Sequence, residues 1–133
     1  MRPLRVLIVD DDIDLVEIWS DFLQGEGCDV SALPPARGLL DEFAAGRHSA
    51  DVVITDYRLP GFSGLELAAA IRSRPGPAAV ILATGNDISK LRTPFPGQVL
   101  GKPVPLASLI DAVRRAAQPE HMMEGQETDK SDE

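Results

Sequence analysis

The chain has 133 residues, 44% of them apolar, which is enough for one domain with its own hydrophobic core. The formal net charge of −8 repels phosphate backbones and anionic lipid surfaces, so it disfavours direct binding to nucleic acid or to a membrane. The single cysteine, Cys28, excludes an internal disulfide and a cysteine-based zinc site, and no apolar run is long enough to span a membrane. We therefore expect a cytoplasmic protein.

Short apolar segments alternate with segments of helical spacing along the chain. In chain order, the sequence predicts a strand at 4–9, a helix at 13–23, a strand at 28–32, a helix at 39–43, a strand at 52–55, a helix at 65–71, strands at 78–83 and 98–100, and a helix at 106–113. A further helix before the last strand is predicted to be short or irregular, covering only Asp87 to Leu91. Two prolines and a glycine interrupt the segment from Thr93 to Gly97.

This alternation predicts an α/β fold with five parallel strands, because each parallel connection needs a crossover that a helix can supply. Right-handed crossovers place helices on both faces of the sheet, which gives a doubly wound (βα)5 sandwich. We expect this domain to comprise residues 1–118. Residues 119–133 carry many charges and almost no large apolar side chains, so we expect an acidic, disordered tail there.

Polar side chains follow or close four of the predicted strands. The run Asp10–Asp12 follows the first strand, Asp56 the third, Thr84 the fourth and Lys102 the fifth. The carboxyl ends of the strands form the ligand-binding edge of an open parallel sheet, so we expect these side chains to lie together. Carboxylates this close repel one another unless a cation neutralises them, and Mg²⁺ typically takes one or two carboxylates. The sequence therefore predicts a magnesium site at this edge.

Each of these residues also has an ordinary structural interpretation. The run Asp10–Asp12 could cap the N-terminus of a helix, and Asp56 could be a turn residue. Thr84 could be a β-branched strand end, and Lys102 could be a solvated surface charge. Their occurrence at four strand ends along one edge favours a functional site over four separate structural roles.

Five motifs carry a resemblance to a known protein family: Leu7-Ile8-Val9-Asp10-Asp11-Asp12, Ile54-Thr55-Asp56-Tyr57-Arg58-Leu59-Pro60-Gly61, Gly64, Leu82-Ala83-Thr84-Gly85 and Lys102-Pro103. Through them, residues 4 to about 117 resemble the receiver domains of response regulators in two-component signalling, especially single-domain regulators of the chemotaxis type. The resemblance implies a flavodoxin-like sheet with strand order 2-1-3-4-5. It also implies a signalling domain that catalyses only its own phosphorylation and dephosphorylation, and not an enzyme that acts on other substrates.

By position, the resemblance implies that Asp56 is the phosphoacceptor. Asp11 resembles the direct Mg²⁺ ligand, and Asp10 resembles its acidic neighbour. Asp56 itself and the backbone carbonyl oxygen of Arg58 complete the metal site that the resemblance implies.

The resemblance also implies roles around the phosphoryl group. Thr84 and Lys102 correspond to the hydroxyl and ammonium groups that bind phosphoryl oxygens, and Pro103 corresponds to a proline in a cis peptide. Pro60 and Gly64 match structural positions of the family. The implied donor is a phosphohistidine on a histidine kinase or a histidine phosphotransfer protein, and the output is exerted on another, unidentified protein by a monomer or weak dimer.

Two features depart from the family pattern. Three residues before the lysine, receivers usually have an aromatic side chain that moves inward on phosphorylation, whereas this chain has Val99. The stretch from Thr84 to Lys102 is also short. We hypothesise that phosphorylation reorganises residues 85–97 instead of running the aromatic switch.

Three other functions fit parts of the pattern. A phosphorylation-independent interaction module would explain Val99, but it would leave the complete set of acids, hydroxyl and lysine without a purpose. A phosphatase of the haloacid-dehalogenase type also uses strand-end aspartates and Mg²⁺, but it would not explain the segment from Asp56 to Gly64. A flavodoxin-like electron carrier lacks support, because aspartates after the first strand would repel a flavin phosphate.

Overall fold

Five parallel strands form the central sheet of the protein, whose computed structural model describes residues 2–85, 95 and 97–118. The sheet order is 2-1-3-4-5 when its strands are counted along the chain, and this confirms the predicted doubly wound fold. In chain order the elements are β1 (Arg5–Val9), α1 (Ile13–Gly25), β2 (Asp29–Leu33), α2 (Leu39–Ala44), β3 (Val52–Thr55), β4 (Arg58–Leu59), β5 (Phe62–Ser63), α3 (Gly64–Arg72), β6 (Ala79–Thr84), β7 (Gln98–Gly101) and α4 (Leu106–Ala116).

The helices cover both faces of the sheet, whose strands are ordered β2-β1-β3-β6-β7. Successive side chains of a strand point to opposite faces, and β1 shows this directly. Val6 and Ile8 pack in one core with α1 and α4, whereas Leu7 and Val9 pack in a second core with α2 and α3. Burial on both faces explains why β1, β3 and β6 have continuous apolar sequences without polar alternation.

A two-stranded antiparallel hairpin, formed by β4 and β5, follows β3 and was not predicted as strands. Pro60 and Gly61 lie between its strands, and Gly61 has a φ of +89°. A proline followed by a residue of positive φ is typical of a type II turn, which favours glycine at the second position. Leu59 and Phe62 pair across the hairpin and are buried, so the hairpin is attached to the second core.

Two sequence predictions concern segments that the structure does not describe. The short helix at Asp87 to Leu91 and the acidic tail at 119–133 both lie outside the described residues. Among the described helices, none combines the length and the apolar character that crossing a membrane requires.

Asp51 joins the N-terminal segment to the start of β3. Its carboxylate accepts hydrogen bonds from the Arg5 amide at 2.8 Å and from two guanidinium nitrogens of Arg2 at 3.1 Å. Burial raises the pKa of Asp51, but the hydrogen bonds and charges of the two arginines outweigh this effect, so the pKa lies below its usual value. The ionised carboxylate therefore stabilises the folded chain.

Asp51→Asn is expected to lower the free energy of unfolding by about 1–2 kcal/mol near neutral pH, because the charged acceptor for the Arg5 amide is lost. Because the pKa of Asp51 is lower in the folded state, its carboxylate stabilises the fold at pH values above the unfolded-state pKa of about 4. This stabilisation is lost as the pH falls through the folded-state pKa. Urea unfolding at neutral pH and at about pH 3 measures the difference, which should shrink in acid. Asp111→Asn, in an exposed pair with Arg115, is the control. An equal difference at both pH values would contradict this account.

Candidate functional site

The predicted polar side chains lie together at the carboxyl edge of the sheet. Asp10 follows β1 and Asp56 follows β3, and the Asp56 amide donates to the Val9 carbonyl at 3.3 Å. Thr84 is the last residue of β6, and its carbonyl accepts a hydrogen bond from the Lys102 amide at 3.0 Å. Since β1, β3, β6 and β7 are successive neighbours in the sheet, their ends bring these four residues into one cluster.

Lys102 bridges two carboxylates of this cluster. Its Nζ donates to Asp10 Oδ2 and to Asp56 Oδ2, both at 2.8 Å. The Asp10 side chain is only 2% exposed, and those of Asp56 and Lys102 are 15% and 21% exposed. A carboxylate as buried as Asp10 needs a paired charge, and one ammonium group here serves two carboxylates. The cluster is therefore short of positive charge.

The pKa values of the bridged groups move in opposite directions. Burial raises the pKa of Asp56, but hydrogen bonds from Lys102 and Thr84, the charge of Lys102 and the Tyr57 amide outweigh it, so this pKa lies below the usual value. Burial lowers the pKa of Lys102, but its contacts with Asp10 and Asp56 outweigh that effect and raise it. Both groups are therefore charged at neutral pH, and Asp56 is an ionised carboxylate.

Three carboxylates at this edge can share one metal ion. Oxygen atoms of Asp10, Asp11 and Asp56 all lie within 4.8 Å of one another. Asp10 is buried, Asp56 is half-buried and Asp11 is exposed, so the group opens to solvent on the Asp11 side. Mg²⁺ prefers oxygen ligands and keeps several waters, and these residues fit it because they combine an all-oxygen donor set with an open side.

Asp12 has a different role from its two neighbours. Its side chain accepts a hydrogen bond from the Leu15 amide at 3.1 Å and caps the N-terminus of α1. Its own amide donates to Asp10 Oδ1 at 2.9 Å. The capping interpretation therefore holds for Asp12, whereas Asp10 and Asp11 belong to the group of three carboxylates that could hold a metal ion.

Backbone groups around the hairpin orient Asp56. The Tyr57 amide donates to Asp56 Oδ1 at 2.6 Å, and the Tyr57 carbonyl accepts from the Gly64 amide at 2.7 Å. A Cβ on Gly64 would overlap the Asp56 carbonyl oxygen and lie 2.8 Å from a methyl carbon of Leu82. Gly64 therefore allows α3 to begin directly against the Asp56 backbone. Sequence reasoning missed the Tyr57 amide, because any residue except proline supplies one.

The remaining predicted residues lie around this cluster. Thr84 is buried at 3% exposure and its side chain hydrogen-bonds to Asp56. The peptide bond between Lys102 and Pro103 is cis, as the resemblance implies. Arg58 begins the hairpin, and its exposed guanidinium lies 6.0 Å from the centroid of the Tyr57 ring. A metal contact of the Arg58 carbonyl remains a prediction.

The sequence of this chain matches a known protein family. The model of the response regulator receiver domain matches residues 6–114, most of the described chain. The chain belongs to the response regulator receiver domain family. Receiver domains are the signalling domains of two-component response regulators, so the charged edge of this sheet is part of a signalling domain.

Curated relatives and solved structures agree on this family. The chain is 34% identical over 116 residues to the C4-dicarboxylate transport transcriptional regulatory protein DctD of Pseudomonas aeruginosa, covering 84% of this chain and 25% of that protein. It is 32% identical over 83 residues to the DNA-binding response regulator MtrA of Mycobacterium tuberculosis, covering 62% of this chain and 36% of that protein. The receiver chain therefore spans about a quarter to a third of the length of these relatives.

Two solved structures show the same receiver fold. The response regulator protein TrrA from Thermotoga maritima, in complex with Mg²⁺-BeF, is 28% identical with a TM-score of 0.73, over 87% of this chain and 99% of that chain. The chemotaxis response regulator CheY4 of Vibrio cholerae is 26% identical with a TM-score of 0.72, over 86% of this chain and 98% of that chain. These matches cover nearly the whole of each solved chain, so the likeness extends over a complete receiver domain.

Proposed function

We propose that this receiver accepts a phosphoryl group on the carboxylate of Asp56 in a Mg²⁺-dependent reaction, and that the phosphorylated form binds a partner protein with altered affinity. The donor is a phosphohistidine of a histidine kinase or a histidine phosphotransfer protein. The observation that carries the proposal is the Lys102 ammonium, which bridges Asp10 and Asp56 at 2.8 Å beside a group of three carboxylates. The Mg²⁺-BeF complex of the similar protein TrrA supports the same assignment.

The reaction transfers one phosphoryl group between two nucleophiles. A carboxylate oxygen of Asp56 forms a bond to phosphorus as the bond from phosphorus to the donor imidazole nitrogen breaks, and that nitrogen keeps the electron pair. The low pKa of Asp56 leaves its carboxylate ionised for attack. Lys102 and the Thr84 hydroxyl are placed to meet phosphoryl oxygens, and Asp10 and Asp11 would hold the metal with the Arg58 carbonyl. A Mg²⁺ ion held by these residues would supply positive charge that offsets the negative charge of the phosphoryl oxygens.

Phosphorylation changes the charge at a half-buried position. The phosphoryl group brings additional negative charge and strong acceptor oxygens to Asp56, so Lys102 and Thr84 must exchange their contacts with the carboxylate for contacts with phosphate. Partners respond only to the extent that they distinguish the two resulting states. Val99 in β7 is aliphatic and 41% exposed. The exchange of contacts at Asp56 must therefore reach the partner-binding surface without an aromatic side chain at position 99.

We also propose how this receiver operates in the cell. Residues 1–118 form the receiver, residues 119–133 form an acidic tail, and the output is exerted on another protein by a monomer or weak dimer. Cys28 is a free, half-buried thiol, which supports a reducing, cytoplasmic setting. The net charge of −8 disfavours direct contact with DNA, although the relative MtrA is a DNA-binding protein.

Phosphorylation is tested by intact-protein mass after incubation with acetyl phosphate, with Mg²⁺ or with a chelator. The wild-type protein should gain the mass of one phosphoryl group only when Mg²⁺ is present, and Asp56→Asn should gain none. An adduct on Asp56→Asn of equal yield would reject Asp56 as the acceptor. If neither protein gains mass while Mg²⁺ binding is measurable, the phosphorylation-independent interaction module becomes the better function.

Asp11→Asn is expected to weaken Mg²⁺ binding by at least about tenfold, because it removes one of few charged oxygen ligands from an exposed position. The fold should be unchanged, since the Asp11 side chain makes no hydrogen bond within the described residues. Titration with Mg²⁺, followed by backbone amide shifts, measures the affinity. Asp14→Asn, in the first turn of α1, is the matched control for the loss of one negative charge. Equal weakening by both variants would assign the effect to overall charge.

A further inference from the structure

A cleft lies at the opposite edge of the sheet from the carboxylate cluster. Its volume is about 210 Å³, and it lies between the ends of α2 and α3 and the starts of β3 and β6. The floor is apolar and consists of Phe43, Val53 and Ile71, each no more than 5% exposed. The four residues of β3 separate the cleft from Asp56 by roughly 13 Å of strand. This cleft is therefore distinct from the proposed phosphorylation site.

Two side-chain donors at the cleft rim have no acceptor among the residues that the structure describes. The Arg74 guanidinium lines the rim and makes no hydrogen bond or ion pair with any residue that the structure describes. Gly46, with a φ of +76°, makes room for it, because a Cβ there would lie 2.6 Å from a guanidinium nitrogen. Ser49 Oγ accepts from Arg5 Nη1 at 2.7 Å, which leaves the Ser49 hydroxyl proton available. The rim thus offers the N–H groups of the Arg74 guanidinium and the Ser49 hydroxyl as donors to a ligand.

Several backbone acceptors at the helix ends beside the cleft are already used. The carbonyls of Asp41, Glu42 and Phe43, at the end of α2, accept from the backbone amides of residues 45–47 at 2.9–3.0 Å. At the end of α3, the Ala70 carbonyl accepts from Ser73 Oγ at 2.7 Å. The Glu42 carboxylate contacts His48 Nε2 at 2.7 Å, so one of its oxygen atoms is also engaged beside the cleft. The Arg74 guanidinium therefore gives the rim a positive charge with no ion-pair partner among the described residues, which favours an anionic ligand.

We propose that this cleft binds a small organic anion with a carboxylate or phosphate head and a short apolar stem. The planar guanidinium of Arg74 matches either head in a two-point contact, and the Ser49 hydroxyl adds a donor. The stem lies on Phe43, Val53 and Ile71. The cleft is smaller than those that hold drug-sized ligands, so the ligand is of the size of a short-chain acid. This site is independent of phosphorylation at Asp56.

The test is a titration of the labelled full chain with acetate, butyrate and inorganic phosphate, followed by amide shifts and the Arg74 side-chain NH signal. Butyrate should bind about tenfold more tightly than acetate, because two more methylene groups are buried on the floor. Arg74→Gln should weaken every probe by at least about tenfold, and Arg74→Lys should recover only part of the loss. Arg115→Gln, which removes the same charge from an exposed helix position, should change nothing.

Three outcomes would overturn the proposal. They are the absence of shifts at Gly46, Ser49 and Gly76 with any probe, equal affinity in Arg74→Gln and wild type, or equal losses in Arg74→Gln and Arg115→Gln. Equal losses would mean that the anions respond only to the net charge of the chain. Phosphorylation by acetyl phosphate should proceed at the wild-type rate in Arg74→Gln. A failure of this proposal is thereby distinguishable from a failure of the phosphoacceptor assignment.

Discussion

Lys102→Gln is expected to slow the phosphorylation of Asp56 by at least about a hundredfold, because it removes a preorganised positive charge from the transferring phosphoryl group. In the resting protein it also removes the cation shared by Asp10 and Asp56, both 2.8 Å from Nζ. The pKa of Asp56 should then rise, since the contacts that hold it low are lost while burial still raises it. The rate of adduct formation with acetyl phosphate, followed by intact mass, measures the effect.

Lys102→Arg is the matched variant for this prediction. It keeps the charge but replaces a compact ammonium by a planar fork, so it should recover part of the rate. Circular dichroism on both variants checks that the fold is intact. A Lys102→Gln rate within a few-fold of wild type would show that Lys102 does not act on the phosphoryl group. Its contacts with the two carboxylates would then be purely structural.

Gly64→Ala is expected to cost about 1–3 kcal/mol of folding free energy, the range for forcing an extra carbon into a packed site. The added Cβ would meet the Asp56 carbonyl oxygen and the Leu82 side chain, and the backbone is less able to move than a flexible side chain. Because the displaced group is the Asp56 backbone, the phosphorylation rate should fall as well. Urea unfolding and adduct formation on the same sample measure both effects.

Gly25→Ala is the control for this substitution. Gly25 is the last residue of α1, has no positive φ, and a Cβ there would meet nothing within 4 Å. Alanine at such a position should leave the stability unchanged or raise it by about 0.4–1 kcal/mol, because the unfolded chain loses freedom. Its phosphorylation rate should equal that of wild type. If Gly64→Ala behaves in the same way as Gly25→Ala, then close packing against Asp56 is not required.

The strands follow from the sequence because apolar segments and helix signals alternate clearly, whereas the strand order was implied by the family resemblance. The segments that became β3 and β6 are continuous apolar runs, as strands buried on both faces require. The hairpin of β4 and β5 could not be predicted in the same way, since two-residue strands are too short to show a period. Only the turn residues Pro60 and Gly61 signalled a reversal of the chain there.

The candidate site was predictable where it depends on side-chain type at a strand end. Asp10, Asp56, Thr84 and Lys102 were expected at one edge, and the structure places them there. The different roles of the residues within the acidic run Asp10–Asp12 were not predictable. Asp12 caps a helix whereas its neighbours face the carboxylate cluster, and three identical residues give no sequence signal for that difference. Contacts made by backbone amides are likewise invisible in a sequence, because every residue except proline has one.

The most direct test of the phosphoacceptor assignment is to locate the phosphoryl group after reductive trapping. An aspartyl phosphate is reduced by borohydride to homoserine, so the modified residue can be found by peptide sequencing in a mass spectrometer. After incubation with Mg²⁺ and acetyl phosphate, the account predicts homoserine at position 56 and unmodified aspartate at positions 10, 11 and 12. Homoserine at any of those three positions, with aspartate retained at position 56, would contradict it.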